Sequence, residues 1–242
     1  MIDFHSHILP CVDDGSRSVE ESALMLSMLR EQGVRRVVAT PHFYAGKDSP
    51  AEFFKRRDEA MKALASACPD AVDTVIPGAE VEYYYGVSRM AELMDMRYQG
   101  TDILLLEMPV ARWSDYTVKE LLELSGYGNV KLVLAHVERY MALQSKRVWQ
   151  SLLDADILMQ SNAAFFLNPK TARRALKMLK RGEISLIGSD CHGSEYRAPR
   201  LGEAYALIEK KLGRETLDRL QSFGSYLLTS GYRSVRSVNG AN

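Results

Sequence analysis

The chain has 242 residues, 46% hydrophobic and 26% charged, and its 31 Lys plus Arg balance its 31 Asp plus Glu. That length supports one domain with a full core, and zero net charge without a basic stripe argues against a nucleic-acid binder. No apolar run is long enough for membrane insertion, no secretory leader precedes MIDFHSH, and the three scattered cysteines (Cys11, Cys68, Cys191) suit a reducing compartment, so a cytoplasmic protein is expected.

Short apolar runs alternate with amphipathic stretches. MIDF reads as a first strand. Ser18 with Glu21 forms a capping-box pattern, and the helix it opens should end at Gly33. VRRVVAT is a second strand, and 50–67 a helix. A third strand lies within 73–84, with a short helix over 88–96. DILLLEMP is a fourth strand, followed by a helix over 115–125. VKLVLAH is a fifth, with a helix over 145–153. DILMQSN is a sixth, with a helix over 169–181. EISLIGSD is a seventh, and helical patterns fill 200–222. The Ser/Gly/Asn-rich tail from Tyr232 is expected to fray. Alternating units imply a mainly parallel sheet buried on both faces, closed or nearly closed into a barrel. No linker or repeat divides the chain, so residues 1–242 are read as a single domain.

The polar residues occupy telling positions. His5 and His7 follow strand one, His42 follows strand two, His136 ends strand five and His192 follows strand seven; the chain has no other histidine. Glu80 lies on strand three, and Glu107 and Asp190 end strands four and seven. Parallel barrels build their active sites at the C-terminal ends of the strands, so this pattern brings the set to one mouth. In extended chain, residues two apart point the same way, so His5 with His7, and Asp190 with His192, can reach one cavity. Imidazoles mixed with carboxylates suit zinc, manganese or iron, and cations would relieve the repulsion among the acids. Each part alone is ordinary: Glu82 shares a face with Glu80, and Asp13 stands beside Asp14. The convergence of the whole set makes a metal site.

The segments DFHSH, TPH, GAE, HVER and SDCH together resemble the PHP (polymerase and histidinol phosphatase) family. IDFHSHILPCVDDGSRSVEES and HVERY are most similar to the tyrosine phosphatases of bacterial capsular and exopolysaccharide operons, over the N-terminus to about residue 210. The resemblance implies an α/β fold, a distorted (β/α)7 barrel, and three divalent metal ions, manganese first, with iron, zinc or magnesium as alternatives. It implies that His5, His7, Glu80 and Asp190 hold one ion. Glu80 would bridge to a second, shared with Glu107 and His136, and Asp14, His42 and His192 would hold the third. Arg139 and Arg197 stand where that subgroup binds phosphate. The implied reaction is hydrolysis of phosphotyrosine in the tail of a bacterial tyrosine kinase that controls polysaccharide export. A small-molecule phosphatase of the histidinol-phosphate type is the alternative within the family.

A thiol mechanism competes. Cys11 to Arg17 and Cys191 to Arg197 both show the Cys-x5-Arg spacing of cysteine-dependent tyrosine phosphatases. Asp13 and Asp14 inside the first loop would repel a phosphate, and the second lies within the proposed metal cluster, where Cys191 should point away from its neighbours. A partner-binding module without activity, and an amidohydrolase with a lysine carbamate, fit less well: the ligand set is complete, and Glu107 rather than lysine ends strand four.

Overall fold

The computed structural model describes residues 1–230, apart from the side chains of residues 71 and 72; the tail expected to fray lies outside the described residues. In chain order the elements are β1 (Ile2–Ser6), α1 (Val19–Glu31), β2 (Arg36–Ala39), β3 (His42–Phe43), α2 (Pro50–Ala67), α3 (Pro69–Val72), β4 (Val75–Pro77), β5 (Glu80–Glu82), β6 (Ile103–Glu107) and α4 (Asp115–Ser125). There follow β7 (Lys131–Leu134), α5 (Lys146–Asp154), β8 (Leu158–Asn162), α6 (Ala163–Leu167), α7 (Ala172–Lys180), β9 (Leu186–Gly188), α8 (Leu201–Leu212) and α9 (Arg214–Ser230).

Every strand pairing is parallel. One sheet runs β1-β2-β4 and the other β3-β5-β6-β7-β8-β9. The two meet twice. Pro41 lacks an N–H and separates β2 from β3, while Gly78 and Ala79 separate β4 from β5. Gly78 N donates to Ala39 O (2.8 Å) and Glu80 N to Pro41 O (3.0 Å) across these breaks. At the other seam Asp190 N donates to His5 O (2.8 Å) and His7 N to Cys191 O (3.0 Å), so β1 lies against the chain that leaves β9. The result is a curled parallel sheet of the barrel type. It departs from a regular strand–helix repeat: only 3₁₀ turns, Val87–Arg89 and Ala91–Met96, separate β5 from β6 where the pattern predicts an α-helix.

Two local signals behave as the sequence predicts. Ser18 Oγ accepts from Glu21 N, and Gly33 ends the turn after α1 with φ of 84°. The Glu21 carboxylate, however, does not close a capping box. It accepts from Arg17 N (2.9 Å) and from Ser194 N (3.2 Å), tying α1 to the loop after β9.

Inside the curl, Phe4, Val38, Leu105, Val133 and Leu186 pack with Leu227 and Leu228 of α9. A Cβ on Gly224 would come within 2.8 Å of the Phe4 ring, so glycine lets α9 lie against β1. Ile103 and Lys131 begin their strands beside Tyr226 and Leu227, which places α9 across the N-terminal end. The C-terminal end is left for polar side chains. Register slips between Asp3 and Ser6, so alternation breaks: Phe4 joins the apolar interior while His5, next to it, faces Glu80 and Gln160. The Phe4 carbonyl accepts from the Tyr98 hydroxyl (2.6 Å).

Candidate metal centre

The C-terminal mouth gathers the whole predicted set. β1 and its continuation carry His5 and His7, β3 carries His42, β5 Glu80 and β6 Glu107; His136 follows β7, and Asp190 and His192 follow β9. His42 does not trail strand two as the sequence suggests. It sits on a strand of its own, in register with Glu80, because Pro41 interrupts the ladder.

Donor atoms crowd together here. His5 Nε2 lies 3.1 Å from His7 Nε2, 3.0 Å from Glu80 Oε2 and 3.7 Å from Asp190 Oδ1. His7 Nε2 lies 3.3 Å from the same Glu80 oxygen and 3.4 Å from the same Asp190 oxygen. Four donors around one ion at about 2.0–2.1 Å would stand roughly 3.3–3.4 Å apart in a tetrahedron. The other Glu80 oxygen, Oε1, lies 2.7 Å from His136 Nε2, which is 3.2 Å from Glu107 Oε1. Glu80 thus offers one oxygen to each of two groups. His42 Nδ1 is 3.1 Å from Glu80 Oε2 and 3.8 Å from Glu107 Oε2. A third group forms around Asp14, whose Oδ1 is 3.7 Å from His42 Nε2 and 3.5 Å from His192 Nε2, with His7 nearby.

The rings are oriented from behind. His7 Nδ1–H donates to Asp13 (2.6 Å), His5 Nδ1–H to Gln160 Oε1 (3.2 Å) and His192 Nδ1–H to the Asp190 carbonyl (3.0 Å). With the proton on Nδ1, the Nε2 lone pair of each faces the cluster, as metal-bound histidine requires. Buried His192 Nε2, His42 Nδ1 and His136 Nδ1 have no hydrogen-bond partner among the described residues. This donor chemistry fits divalent cations.

Asp13 and Asp14 separate cleanly. Asp13 is taken up by His7, by His42 N (2.9 Å) and by Gly15 N (2.9 Å), whereas Asp14 is 70% exposed and reaches His42 and His192 directly. Burial opposes charge throughout; the pairings override it at His7, His136, Glu80 and Asp190, while burial prevails at His42 and His192. His7 is held well above the ordinary imidazole range, chiefly by Asp13, and His136 is raised to about 9 by Glu107 and Glu80. Glu80 and Asp190 lie well below the usual carboxylate range because histidines surround them. Burial, then the charge on His7, pushes His192 down to about 4; burial also lowers His42.

Arg139 and Arg197 both converge on Asp190 Oδ2, at 2.7 and 2.5 Å, and Arg139 also reaches Glu107 Oε1 at 3.4 Å. His136, Asp190 and Arg197 all hold left-handed backbone, with φ of 30°, 51° and 52°, so strain collects at this mouth. Neither thiol suits a nucleophile. Cys191 is fully buried in the core, and burial pushes its thiol up to about 12; Cys11 points its sulfur at the Arg17 carbonyl (3.0 Å).

The match to known proteins agrees with this geometry. Residues 1–225 match the family described as capsular polysaccharide synthesis, CpsB/CapC. The chain belongs to the CpsB/CapC family. It is 31% identical to the tyrosine-protein phosphatase CpsB of Streptococcus pneumoniae, over 91% of this chain and 94% of that one. It is 29% identical to the tyrosine-protein phosphatase YwqE of Bacillus subtilis, over 89% of this chain and 86% of that one. Among solved structures, one from the study of YwqE and S. pneumoniae CpsB, described as metal-dependent tyrosine phosphatases, superposes with a TM-score of 0.79 at 27% identity, covering 94% of each chain. A histidinol phosphate phosphatase from Lactococcus lactis, solved with zinc, L-histidinol and phosphate, superposes at 0.54 with 14% identity, covering 86% of this chain and 92% of that one; it shares the fold. The CpsB/CapC match runs past residue 210, where the motif resemblance fades, into α9. That helix closes the sheet curl, so its residues are constrained by packing rather than by chemistry.

Sequence reasoning missed the polar residues of β8. Gln160 Oε1 accepts from His136 N (2.7 Å) as well as His5, Gln160 Nε2 donates to Asn162 Oδ1 (3.0 Å), and Asn162 Nδ2 donates to Asp190 Oδ2 (2.6 Å). One amide chain therefore aligns His5 and the carboxylate that both arginines touch. The signal was present: QSN closes an otherwise apolar strand run.

Proposed function

We propose that this protein is a metal-dependent tyrosine phosphatase acting in capsular or exopolysaccharide synthesis, working with three divalent ions, manganese first. The observation that carries this reading is the pair of Glu80 oxygens, each set 2.7–3.3 Å from the imidazole nitrogens of a different histidine group. His5, His7, Glu80 and Asp190 would hold one ion. Glu80 would bridge to a second with Glu107 and His136, and Asp14, His42 and His192 would hold a third. When bound, such ions supply Lewis acidity and bring bound water toward ionisation near neutral pH.

The chain's own residues set the geometry. Asp13 and Gln160 keep His7 and His5 in the tautomer that turns Nε2 inward. Arg139 and Arg197, about one-third exposed at the rim, are placed to donate to non-bridging phosphoryl oxygens and to neutralise charge there in the transition state. A phenolate leaves with less help from a proton than an alkoxide does, since its conjugate acid has a pKa of about 10. No thiol is assigned a part: Cys191 is buried in the core, and Cys11 turns its sulfur to the Arg17 carbonyl.

A cavity of about 750 Å³ opens beside Asp190, Arg139 and Arg197. Its openness to solvent favours a flexible phosphorylated tail over a small metabolite, and the phosphotyrosine tail of a bacterial tyrosine kinase is the proposed substrate. The names of the curated relatives, tyrosine-protein phosphatases, support a phosphotyrosine substrate. We place the reaction in the cytoplasm and treat residues 1–242 as one catalytic domain; no helix among the described residues is long and apolar enough to cross a membrane. The test is elemental analysis of the purified protein, with assays on a phosphotyrosine peptide and on histidinol phosphate. Metal with turnover of the peptide is expected; preference for histidinol phosphate, or full activity after exhaustive chelation, would defeat the reading.

A further inference from the structure

One stretch of this electrically neutral chain is strongly basic. Between Asn168 and Gly182 stand Lys170, Arg173, Arg174, Lys177, Lys180 and Arg181, with no acidic residue among them. Arg181 pairs with Glu183; the other five side chains have no carboxylate partner among the described residues. Lys177 and Lys180 suit the C-terminal turn of α7, where cations oppose the negative end of the helix dipole. Arg173 and Arg174 do the opposite. They occupy the first turn, where the dipole disfavours positive charge and no acid offsets it. Both are exposed, so neither is there for packing.

Arg174 also lines the cavity shared by Arg139, Arg197 and Asp190, together with Phe165 and Leu167. Arg139 and Arg197 are engaged with Asp190, and Arg200, which also lines the cavity, is held by Glu203. Arg174 is therefore the guanidinium of this cavity without a carboxylate partner among the described residues, and it is not needed for the phosphoryl group that Arg139 and Arg197 are placed to meet. The cavity's other acids, Glu138 and Glu195, come from the loops after β7 and β9 and not from α7.

We propose that α7 is a substrate-selecting wall: Arg174, supported by Arg173, binds a carboxylate side chain close in sequence to the phosphotyrosine, so the enzyme prefers acidic phosphotyrosyl peptides. This rests on the phosphatase reading above and names the peptide class that site takes. Arg174 acts on binding, not on the reacting atoms, so its mark is on KM.

The test compares the metal-loaded enzyme on p-nitrophenyl phosphate and on three phosphotyrosyl peptides that carry Glu, Ala or Lys on both flanks. We expect kcat/KM to be about fivefold higher for the Glu peptide than for the Ala peptide, the size of one exposed charge pair, and to lose that advantage at high salt. Arg173→Glu/Arg174→Glu should reverse the order of the Glu and Lys peptides through KM, with similar kcat, while Arg174→Lys should retain the order. Thermal melting confirms that each variant folds. Turnover of p-nitrophenyl phosphate with equal rates on all three peptides, or an unchanged order in the double variant, overturns the inference and leaves the phosphatase reading standing. No turnover of any substrate by the parent enzyme removes both.

Discussion

The two ends of the sheet curl are made from the same strands and could hardly differ more. On β6, Ile103 and Leu105 turn toward α9, while Glu107 on the same face ends the strand at the mouth. On β1, Phe4 packs under α9, and His5 and His7 project into the mouth. Toward α9 the interior is apolar, and burial there stabilises the fold. At the mouth, His5, His7, Glu80, His136 and Asp190 are all nearly or fully buried, which opposes folding unless each is paired. The apolar end stabilises a fold whose other end holds groups that would repel one another or demand water. If that division holds, damage at the mouth removes activity, and damage at the α9 end removes stability.

The largest effect should come from the mouth. Glu107→Ala and His136→Ala are expected to lower phosphatase activity about 10³-fold or more while the proteins stay folded. Chelation should match that loss, and manganese should restore it; steady-state kinetics with circular dichroism decide. A ligand variant that keeps half its activity would break the division.

Leu227→Ala tests the other end. The side chain is buried on α9 against the strand interior, and its loss should cost about 2–5 kcal/mol in urea unfolding. Turnover per folded molecule should not change. Asp13→Asn sharpens the boundary between holding and reacting. Asp13 touches His7 only from behind, so the change should weaken metal affinity or activity about 10- to 100-fold, less than loss of a ligand. An effect equal to that of His136→Ala would instead make Asp13 a ligand.

The smallest effects belong to the cysteines. Burial raises the Cys191 thiol to about 12, so at pH 8 it stays protonated and should resist iodoacetamide in the native protein, whereas exposed Cys11 should react. Cys11→Ser and Cys191→Ser should retain most of the activity, with the larger loss at Cys191, next to Asp190 and His192. A phosphocysteine trapped from the parent enzyme would replace the metal mechanism with a thiol one.

Much of this was legible before folding. The two-residue spacing of His5 and His7 aims both at one point in any extended conformation, and histidines at strand ends imply a shared mouth once the strands are parallel. Other features left weaker traces. The strand breaks at Pro41 and Gly78 were readable as interruptions but not as the source of β3, which carries His42. The 3₁₀ turns over 87–96 carry a helix-like pattern, and the short α6 falls in the gap between the sixth predicted strand and the helix over 169–181.

The sequence by itself determined the histidines and carboxylates at the strand ends, the parallel character of the sheet and the neutrality of the chain, because these depend on residue type and local spacing alone. Only the tertiary structure decided which of two adjacent aspartates faces His192 and which stands behind His7. The loop turns one inward and leaves the other exposed, and no local propensity distinguishes them. It also decided that Gln160 and Asn162 support the centre, since their partners lie up to 155 residues away and meet them only across β-sheet register. The placement of Arg197 belongs to the same class. Its left-handed backbone turns it back onto Asp190, and such a conformation in a residue with a side chain persists only where the surrounding packing holds it.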